Sequence, residues 1–169
     1  MAISAEDVKE LRQRTGAGVM DCKRALEEAG GDYDKATEVL RQRGLSMAEK
    51  KADRQTSQGI VECYIHAGGR IGAMVEVNCE TDFVARTDTF RALANDLAMQ
   101  VAATGPLSVS EEDLPPGAEG DPAEMCLLRQ PYIRDPSRTI HELVAEAIAQ
   151  TRENIRVRRF ARFELGQPD

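Results

Sequence analysis

The residues best suited to chemistry lie in the stretch 78–90, where an alternating strand pattern gives way to a helical one. Here the carboxylate of Asp82 stands beside the aromatic ring of Phe83, in a chain with four Phe, three Tyr and no Trp. An exposed ring supplies contact area when a partner protein buries it, and a carboxylate perturbs a nearby cation. Alternatively, Phe83 covers the local core and Asp82 caps the next helix.

The other reactive side chains show no spacing that indicates a catalytic or metal site. The cysteines have no Cys-x-x-Cys spacing and no neighbouring histidine, so we expect free buried thiols: Cys22, Cys63, Cys79 and Cys126. A thiol enzyme using Cys79 is disfavoured, because the adjacent Glu80 and Asp82 would raise the pKa of the thiol. His66 and His141 are expected at a hairpin end and in a first helical turn, facing solvent. We therefore expect no metal, no cofactor and no enzymatic activity.

The charge balance favours a protein partner. The 169 residues include 29 acidic and 22 basic ones, which gives a net charge of −7. Residues 104–128 contain six acidic residues and no basic one. Nucleic-acid binding depends on neutralising phosphates with Lys and Arg, so direct nucleic-acid contact is not expected. No apolar run approaches the roughly 20 residues of a membrane span. The acidic start, Met-Ala-Ile-Ser-Ala-Glu-Asp, does not resemble a secretory signal, so we expect a cytoplasmic protein.

A ribosome- or RNA-binding protein is the alternative, because one C-terminal strand is rich in arginine: Arg156, Arg158, Arg159 and Arg162. No Tyr or Trp interleaves these residues as a stacking platform would. We expect the arginines to pair with carboxylates instead.

Residues 1–45 predict three short helices around a small core. The first begins at the cap Ser4 and ends near Thr15. The second presents an apolar stripe and stops at a glycine pair: Cys22, Ala25, Leu26 and Ala29, then Gly30 and Gly31. Asp32 caps the third helix and Gly44 ends it. The charged run 46–56 is interpreted as a connecting helix.

Residues 57–169 predict an α+β core, a three-stranded antiparallel sheet packed by helices. Strands 59–66 and 71–79 form a hairpin with the loop 67–69, which places Ile65 opposite Ile71 and Cys63 opposite Ala73. In this register the apolar faces match: Val61, Cys63 and Ile65 with Ile71, Ala73, Val75 and Val77. Cys63 and Cys79 would then be about 20 Å apart, which argues against a disulfide.

Two helices and a last strand complete this core. A helical stripe from Phe90 to Val101 covers the hairpin, and the proline-rich, acidic segment 104–124 is interpreted as an irregular excursion. Thr139 and Glu142 form a capping box for a helix at 139–152. In strand 155–165 one apolar face is predicted: Ile155, Val157, Ala161, Phe163 and Leu165. Phe160 lies on the other face, which leaves the outer side of the sheet partly apolar.

Three blocks of this sequence resemble those of the translation elongation factor Ts family, the nucleotide exchange factors for elongation factor Tu. The most specific is Val-Asn-Cys-Glu-Thr-Asp-Phe-Val-Ala-Arg, residues 77–86. Two further blocks, residues 11–26 and 153–165, follow the family's order. At 169 residues the chain is similar to the short form of these factors.

The resemblance implies a function and the residues that perform it. The chain would bind elongation factor Tu and promote release of GDP. Phe83 would wedge between helices of the GTPase, while Asp82 would disturb its Mg²⁺ and phosphate site, with Thr81, Val84 and Arg86 completing the corner. A second contact would come from the N-terminal module, which resembles a ubiquitin-associated domain: Leu11, Arg12, Thr15, Gly16, Val19, Met20 and Asp21. Short members also dimerise through the sheet, so a homodimer is an additional expectation.

Overall fold

The structure is a computed structural model that describes residues 3–167. The N-terminal part contains the helices α1 (Ala5–Thr15), α2 (Val19–Glu28) and α3 (Tyr33–Lys51). The remainder contains, in chain order, β1 (Gln58–Ile65), β2 (Ile71–Cys79), α4 (Asp82–Ala85), α5 (Asp88–Thr104), α6 (Pro122–Met125), β3 (Pro131–Tyr132), β4 (Asp135–Thr139), α7 (Ile140–Thr151) and β5 (Ile155–Glu164). The predicted α+β class is confirmed. Residues 1, 2, 168 and 169, which the predicted domain bounds include, lie outside the described range.

The helix starts follow the local capping chemistry. Ser4 and Asp7 form a reciprocal capping box on α1, and Asp32 accepts hydrogen bonds from two backbone N–H groups at the start of α3. Thr139 and Glu142 form a second box on α7. Each side chain satisfies N–H groups that a helix start leaves without partners. These predicted starts are confirmed.

The prediction that Gly44 ends the third helix is wrong. Helix α3 continues through Gly44 to Lys51, so residues 46–51 of the predicted connecting helix are the last part of α3 and residues 52–56 are not helical. Gly44 is buried where α3 packs on α7, and a Cβ there would lie 3.5 Å from the carbonyl oxygen of Ala145. Tertiary packing overrides the weak helix propensity of glycine at this position.

Two apolar clusters form the interior. The smaller joins the first three helices and contains the buried residues Val8, Leu11, Cys22, Ala25, Leu26 and Ala36. The larger lies between the main sheet and helices α5 and α7, and the predicted stripe from Phe90 to Val101 is buried in it. Met47 and Ala48 from the second half of α3 pack against this larger core. Arg41 of α3 also forms an ion pair with Glu142 of α7. Helix α3 therefore belongs to both clusters.

The main sheet has the predicted three antiparallel strands, in the order β1-β2-β5. The predicted hairpin register is wrong by one residue, because Ile65 pairs with Gly72 and Tyr64 with Ala73. The connection has four residues, 67–70, with both Gly68 and Gly69 at positive φ. A shift of one residue in the pairing register moves every side chain of a strand to the opposite face of the sheet.

The buried side of β1 is consequently the one not predicted. Ile60 and Tyr64 pack against the larger core, whereas the residues assigned to the buried face are exposed: Val61, Cys63 and Ile65. All four cysteines are free, as predicted, but Cys63 is exposed while the other three are buried.

Strand β5 also changes face along its length, because it contains a bulge. Val77 pairs with Val157 and Glu76 with Arg159, which leaves Arg158 as the extra residue. Ile155 and Val157 face the core before the bulge, and Phe160 packs against the core after it. Phe163 is instead 71% exposed. The single apolar face predicted for this strand, and the outward position of Phe160, are therefore wrong.

The segment 104–124 is largely irregular, as predicted, but some of its residues are buried. Ser108 and Val109 are buried, and residues 111–113 form one 3₁₀ turn. The buried side chain of Gln100 donates to Gln130 and to the carbonyl of Pro131. The small hairpin β3–β4 was not predicted, since its strands have two and five residues and no alternation.

Candidate partner-binding surface

The corner after β2 exposes an aromatic side chain next to the buried Val84 and Ala85. Strand β2 ends at the buried Cys79, and Thr81 caps α4 by accepting a hydrogen bond from the N–H of Val84. Val84 and Ala85 are buried and anchor the short helix to the core. Phe83 points away and is 78% exposed. The alternative that Phe83 covers the local core is therefore wrong.

Asp82 is likewise free to meet a partner. It does not cap the helix, because Thr81 holds that position. Its carboxylate is exposed and forms an ion pair of 2.9 Å with Arg86, one turn later in the chain. Both partners are largely solvated, so this ion pair contributes little to stability. The corner thus presents a carboxylate, a guanidinium and an aromatic ring side by side.

The thiol next to the corner is poorly suited to catalysis. Cys79 is fully buried and its Sγ lies 3.1 Å from the carbonyl oxygen of Thr81. Burial raises the pKa of this thiol to about 11, with further contributions from the carboxylates of Glu153 and Asp82. The predicted increase in the pKa of Cys79 is correct, although Glu153, and not the expected Glu80, contributes to it together with Asp82. The thiolate, the reactive form, is disfavoured at neutral pH.

The second predicted surface lies at the start of α2. Val19 is 51% and Met20 61% exposed, which leaves two adjacent apolar side chains in solvent. Arg12 and Gly16, from the same predicted set, are also exposed. Leu11 is fully buried in the smaller core, so this residue supports the surface and does not form part of it.

Other members of the N-terminal set contact the end of α7. The Gln150 side chain donates to the carbonyl oxygen of Thr15 over 3.2 Å, and Arg152 forms an ion pair with Asp21. Glu153, the next residue, accepts two hydrogen bonds from Thr81 in the corner. Sequence reasoning missed Glu153 as a site residue, because its partner lies 72 positions away. Consecutive residues of one turn therefore contact both predicted surfaces.

Three of the four arginines of β5 pair with carboxylates, as predicted, whereas Arg156 is exposed and has no ion pair among residues 3–167. Arg158 and Arg159 contact the two carboxylate oxygens of Glu76 at 2.9 and 2.7 Å, and Arg162 contacts Glu164 at 2.8 Å. These arginines are therefore not an unpaired cationic strip of the kind that binds phosphate backbones.

This pairing predicts a pH dependence of stability. Hydrogen bonds from Arg159 and Arg158 lower the pKa of Glu76 from 4.5 to about 2. A carboxylate with a lowered folded-state pKa contributes stability above its unfolded pKa and loses it as the pH falls through the folded value. We expect Glu76→Gln to lower the thermal midpoint at pH 7, and the difference from wild type to shrink between about pH 4.5 and pH 2. Thermal unfolding followed by circular dichroism at each pH measures this. Equal midpoints at pH 7 would contradict the expectation.

Among residues 3–167 no group of three or more His, Cys, Asp or Glu side chains is placed to hold a metal ion. None of the helices described is both long and apolar enough to cross a membrane.

Comparison with known proteins identifies the family. The family model described as elongation factor TS matches residues 16–119, more than half of the chain. The chain belongs to the elongation factor Ts family. It is 51% identical to Elongation factor Ts of Carboxydothermus hydrogenoformans, an alignment that covers 98% of this chain and 90% of that protein.

Two further relatives with the same description support the assignment. The Caldanaerobacter subterraneus subsp. tengcongensis protein is 50% identical, with 98% of both chains covered. The Thermodesulfovibrio yellowstonii protein is 47% identical, with 99% of this chain and 98% of the relative covered. Family membership places the chain among translation elongation factors, and the sequence-based recognition is confirmed.

Proposed function

We propose that this protein accelerates the release of GDP from elongation factor Tu by binding the GTPase, without making or breaking a covalent bond. The observation that carries the proposal is the 78% exposure of Phe83 on a helix whose next two residues, Val84 and Ala85, are buried. A large apolar ring held in solvent on a fixed support is suited to enter a cleft of a partner. We also propose that the protein acts in the cytoplasm, where translation occurs.

The mechanism follows from linkage between two binding equilibria. A partner that binds the nucleotide-free GTPase more tightly than the GDP form must weaken GDP binding by the same factor. In this scheme Phe83 supplies packing energy, and Asp82 acts on the Mg²⁺ environment of the nucleotide. The Val19–Met20 surface supplies the second contact, with Gly16 also exposed, while Thr15 and Asp21 contact the end of α7.

The direct test is the release of fluorescent GDP from elongation factor Tu with and without this protein. We expect a rate that rises with factor concentration and then saturates. Equal release rates in both samples would refute the proposed function. The RNA-binding alternative would instead give RNA binding with a steep salt dependence.

The role of Asp82 predicts a dependence on Mg²⁺. If the corner acts partly by disturbing the bound Mg²⁺, removing Mg²⁺ with a chelator should by itself speed GDP release. The ratio of the GDP release rates with and without the wild-type protein should therefore be smaller in chelator than in Mg²⁺. Asp82→Ala should lose part of this Mg²⁺ dependence. Since Thr81 caps α4, the variant keeps the cap. Asp113→Ala, which removes an exposed carboxylate from the irregular segment, is the control. Equal acceleration with and without Mg²⁺ would contradict the metal part of the mechanism.

We further propose a homodimer through the outer face of the main sheet. This face exposes a set of apolar side chains: Val61, Cys63, Ile65, Met74 and Phe163. A two-fold symmetric dimer would bury the same patch on both copies. Sedimentation over a range of concentrations measures the association. Phe163→Asp should shift it toward monomer, and a wild-type protein that stays monomeric throughout would refute the proposal.

A further inference from the structure

The turn between α7 and β5, Arg152 to Asn154, connects parts of the protein that are distant in sequence. Arg152 ends α7 with φ at 64°, and among residues 3–167 it is the one residue other than glycine with positive φ. This conformation costs free energy for a residue with a side chain, so surrounding contacts must maintain it. Each of the three turn residues makes such contacts, and together they reach the corner, the chain before β1 and the N-terminal helices.

Glu153 holds the start of the corner. Its Oε2 accepts a hydrogen bond from the N–H of Thr81 at 3.0 Å, and its Oε1 accepts one from the Thr81 hydroxyl at 2.6 Å. The same hydroxyl oxygen accepts the N–H of Val84 and thereby caps α4. Hydrogen bonds to an ionised acceptor are the stronger kind. The carboxylate thus fixes the residue from which the helix bearing Phe83 begins.

Asn154 holds the other side of the corner and the chain that leads into β1. Its backbone N–H donates to Oε1 of Glu80 at 2.7 Å. Its buried side-chain amide donates to the carbonyl oxygens of Ala52, at 3.3 Å, and Arg54, at 2.8 Å. A buried amide with its hydrogen-bonding groups paired in this way fixes one arrangement of the surrounding backbone.

Arg152 contacts the N-terminal helices. Its guanidinium pairs with Asp21 of α2, directly after Met20. Its carbonyl oxygen accepts a hydrogen bond of 2.7 Å from Nζ of Lys51 at the end of α3. The turn is therefore attached at one end to the Val19–Met20 surface and at the other to the Phe83 corner.

We infer that Glu153 is a positioning residue for nucleotide exchange. It holds the corner in the orientation that meets the GTPase, and the turn fixes the separation between the corner and the Val19–Met20 surface. This inference rests on the proposed function. When the binding-competent conformation is a fraction of the population, the apparent affinity falls by that fraction. Loss of Glu153 therefore weakens binding without changing the complex that finally forms.

The test is Glu153→Ala and Glu153→Gln in the full chain, with Glu111→Ala as the control. Glu111 is an exposed acid on the 3₁₀ turn, paired with Arg129. GDP release is measured over a range of factor concentrations. Glu153→Ala should raise the half-saturating concentration on the order of tenfold, with a saturating rate within about twofold of wild type. Glu153→Gln, which keeps one acceptor oxygen, should show a smaller rise, and the control should match wild type.

Hydrogen exchange supplies a readout that does not require the GTPase. In Glu153→Ala the amide of Thr81 loses its acceptor, so peptides covering 80–86 should exchange faster while peptides from α5 keep their protection. Unchanged exchange at 80–86 would overturn the inference. Faster exchange at 80–86 with an unchanged half-saturating concentration would also overturn the inference. A lowered saturating rate with an unchanged half-saturating concentration would overturn it too, because that result would indicate that Glu153 contacts the reacting complex directly.

Two further outcomes are distinguishable. If Glu153→Ala loses protection throughout the chain, Glu153→Gln decides the question, because its side chain has the same shape and retains one hydrogen bond. A normal half-saturating concentration in that variant together with faster exchange at 80–86 would overturn the inference. If the wild-type protein fails to accelerate GDP release, the proposed function fails, while the exchange measurement still decides whether Glu153 orders the corner.

Discussion

Replacement of Phe83 by alanine is expected to weaken binding to elongation factor Tu by roughly 2 to 4 kcal/mol while leaving the fold intact, because a central aromatic anchor contributes energy of this size. Such a loss corresponds to about 30- to 1,000-fold in dissociation constant. The ring is 78% exposed, so its removal leaves no cavity in the core. Titration of GDP release against factor concentration, together with the thermal midpoint, measures both parts of the expectation.

A control is Leu107→Ala, which removes a large apolar side chain from a 62% exposed position in the irregular segment. This position lies outside both proposed contact surfaces for the GTPase, so GDP release should remain close to wild type. Unchanged release by Phe83→Ala in a folded protein would refute the wedge. A large drop in its thermal midpoint would show that Phe83 stabilises the isolated fold after all.

Leu11→Ala is expected to act through the N-terminal module instead of direct contact. Leu11 is fully buried in the smaller cluster, which contains six buried residues in the described range 3–167. A Leu→Ala change in a core costs about 2 to 5 kcal/mol, which is large for so small a cluster. We expect α1 and α2 to open locally and the Val19–Met20 surface to lose its shape. Hydrogen exchange should show lost protection in α1 and α2, and GDP release should require a higher factor concentration.

The larger core should persist in this variant, because its buried residues lie in other elements. Leu107→Ala, at an exposed leucine, is the control, and a surface substitution of this kind changes stability by about 0.5 kcal/mol or less. Full GDP release by Leu11→Ala despite opened N-terminal helices would show that this module is not needed for exchange.

Elements with local determinants were predictable from the sequence. The ends of α1, the starts of α3 and α7 and the stripe of α5 depend on residues within one or two turns of each other. The end of α3 was predicted wrongly, because whether the helix continues through Gly44 depends on packing against α7, about 100 residues away in the chain. Glycine often ends a helix, but a helix can continue through a glycine where it packs against another element.

Strand faces were less predictable, because a period of two does not reveal register. The hairpin loop has four residues where three were expected, and this single residue reversed the face of β1. In β5, if side chains alternated between the two faces without interruption from Val157 onward, Phe163 would face the core. The bulge is set by pairing with β2, which no local pattern in β5 reports.

The corner was found by its residue types, but its geometry was not. Both Thr81 and Asp82 are residue types that cap helices, so the sequence alone did not show that Thr81 takes the cap and leaves Asp82 free. The exposure of Phe83 depends on Val84 and Ala85 filling the adjacent core positions. The bracing carboxylate of Glu153 comes from the far end of the chain and had no local signal.

The bulge at Arg158 has a consequence for how this chain tolerates changes in length during evolution. Val157 and Phe160 both face the core although three positions separate them, because Arg158 and Arg159 together oppose Glu76. Removal of Arg158 would restore ordinary alternation and leave every later side chain on its present face. Removal of Ala161 would turn over the rest of the strand and bring Phe163 inward. A one-residue deletion is therefore far better tolerated at the bulge than three residues beyond it.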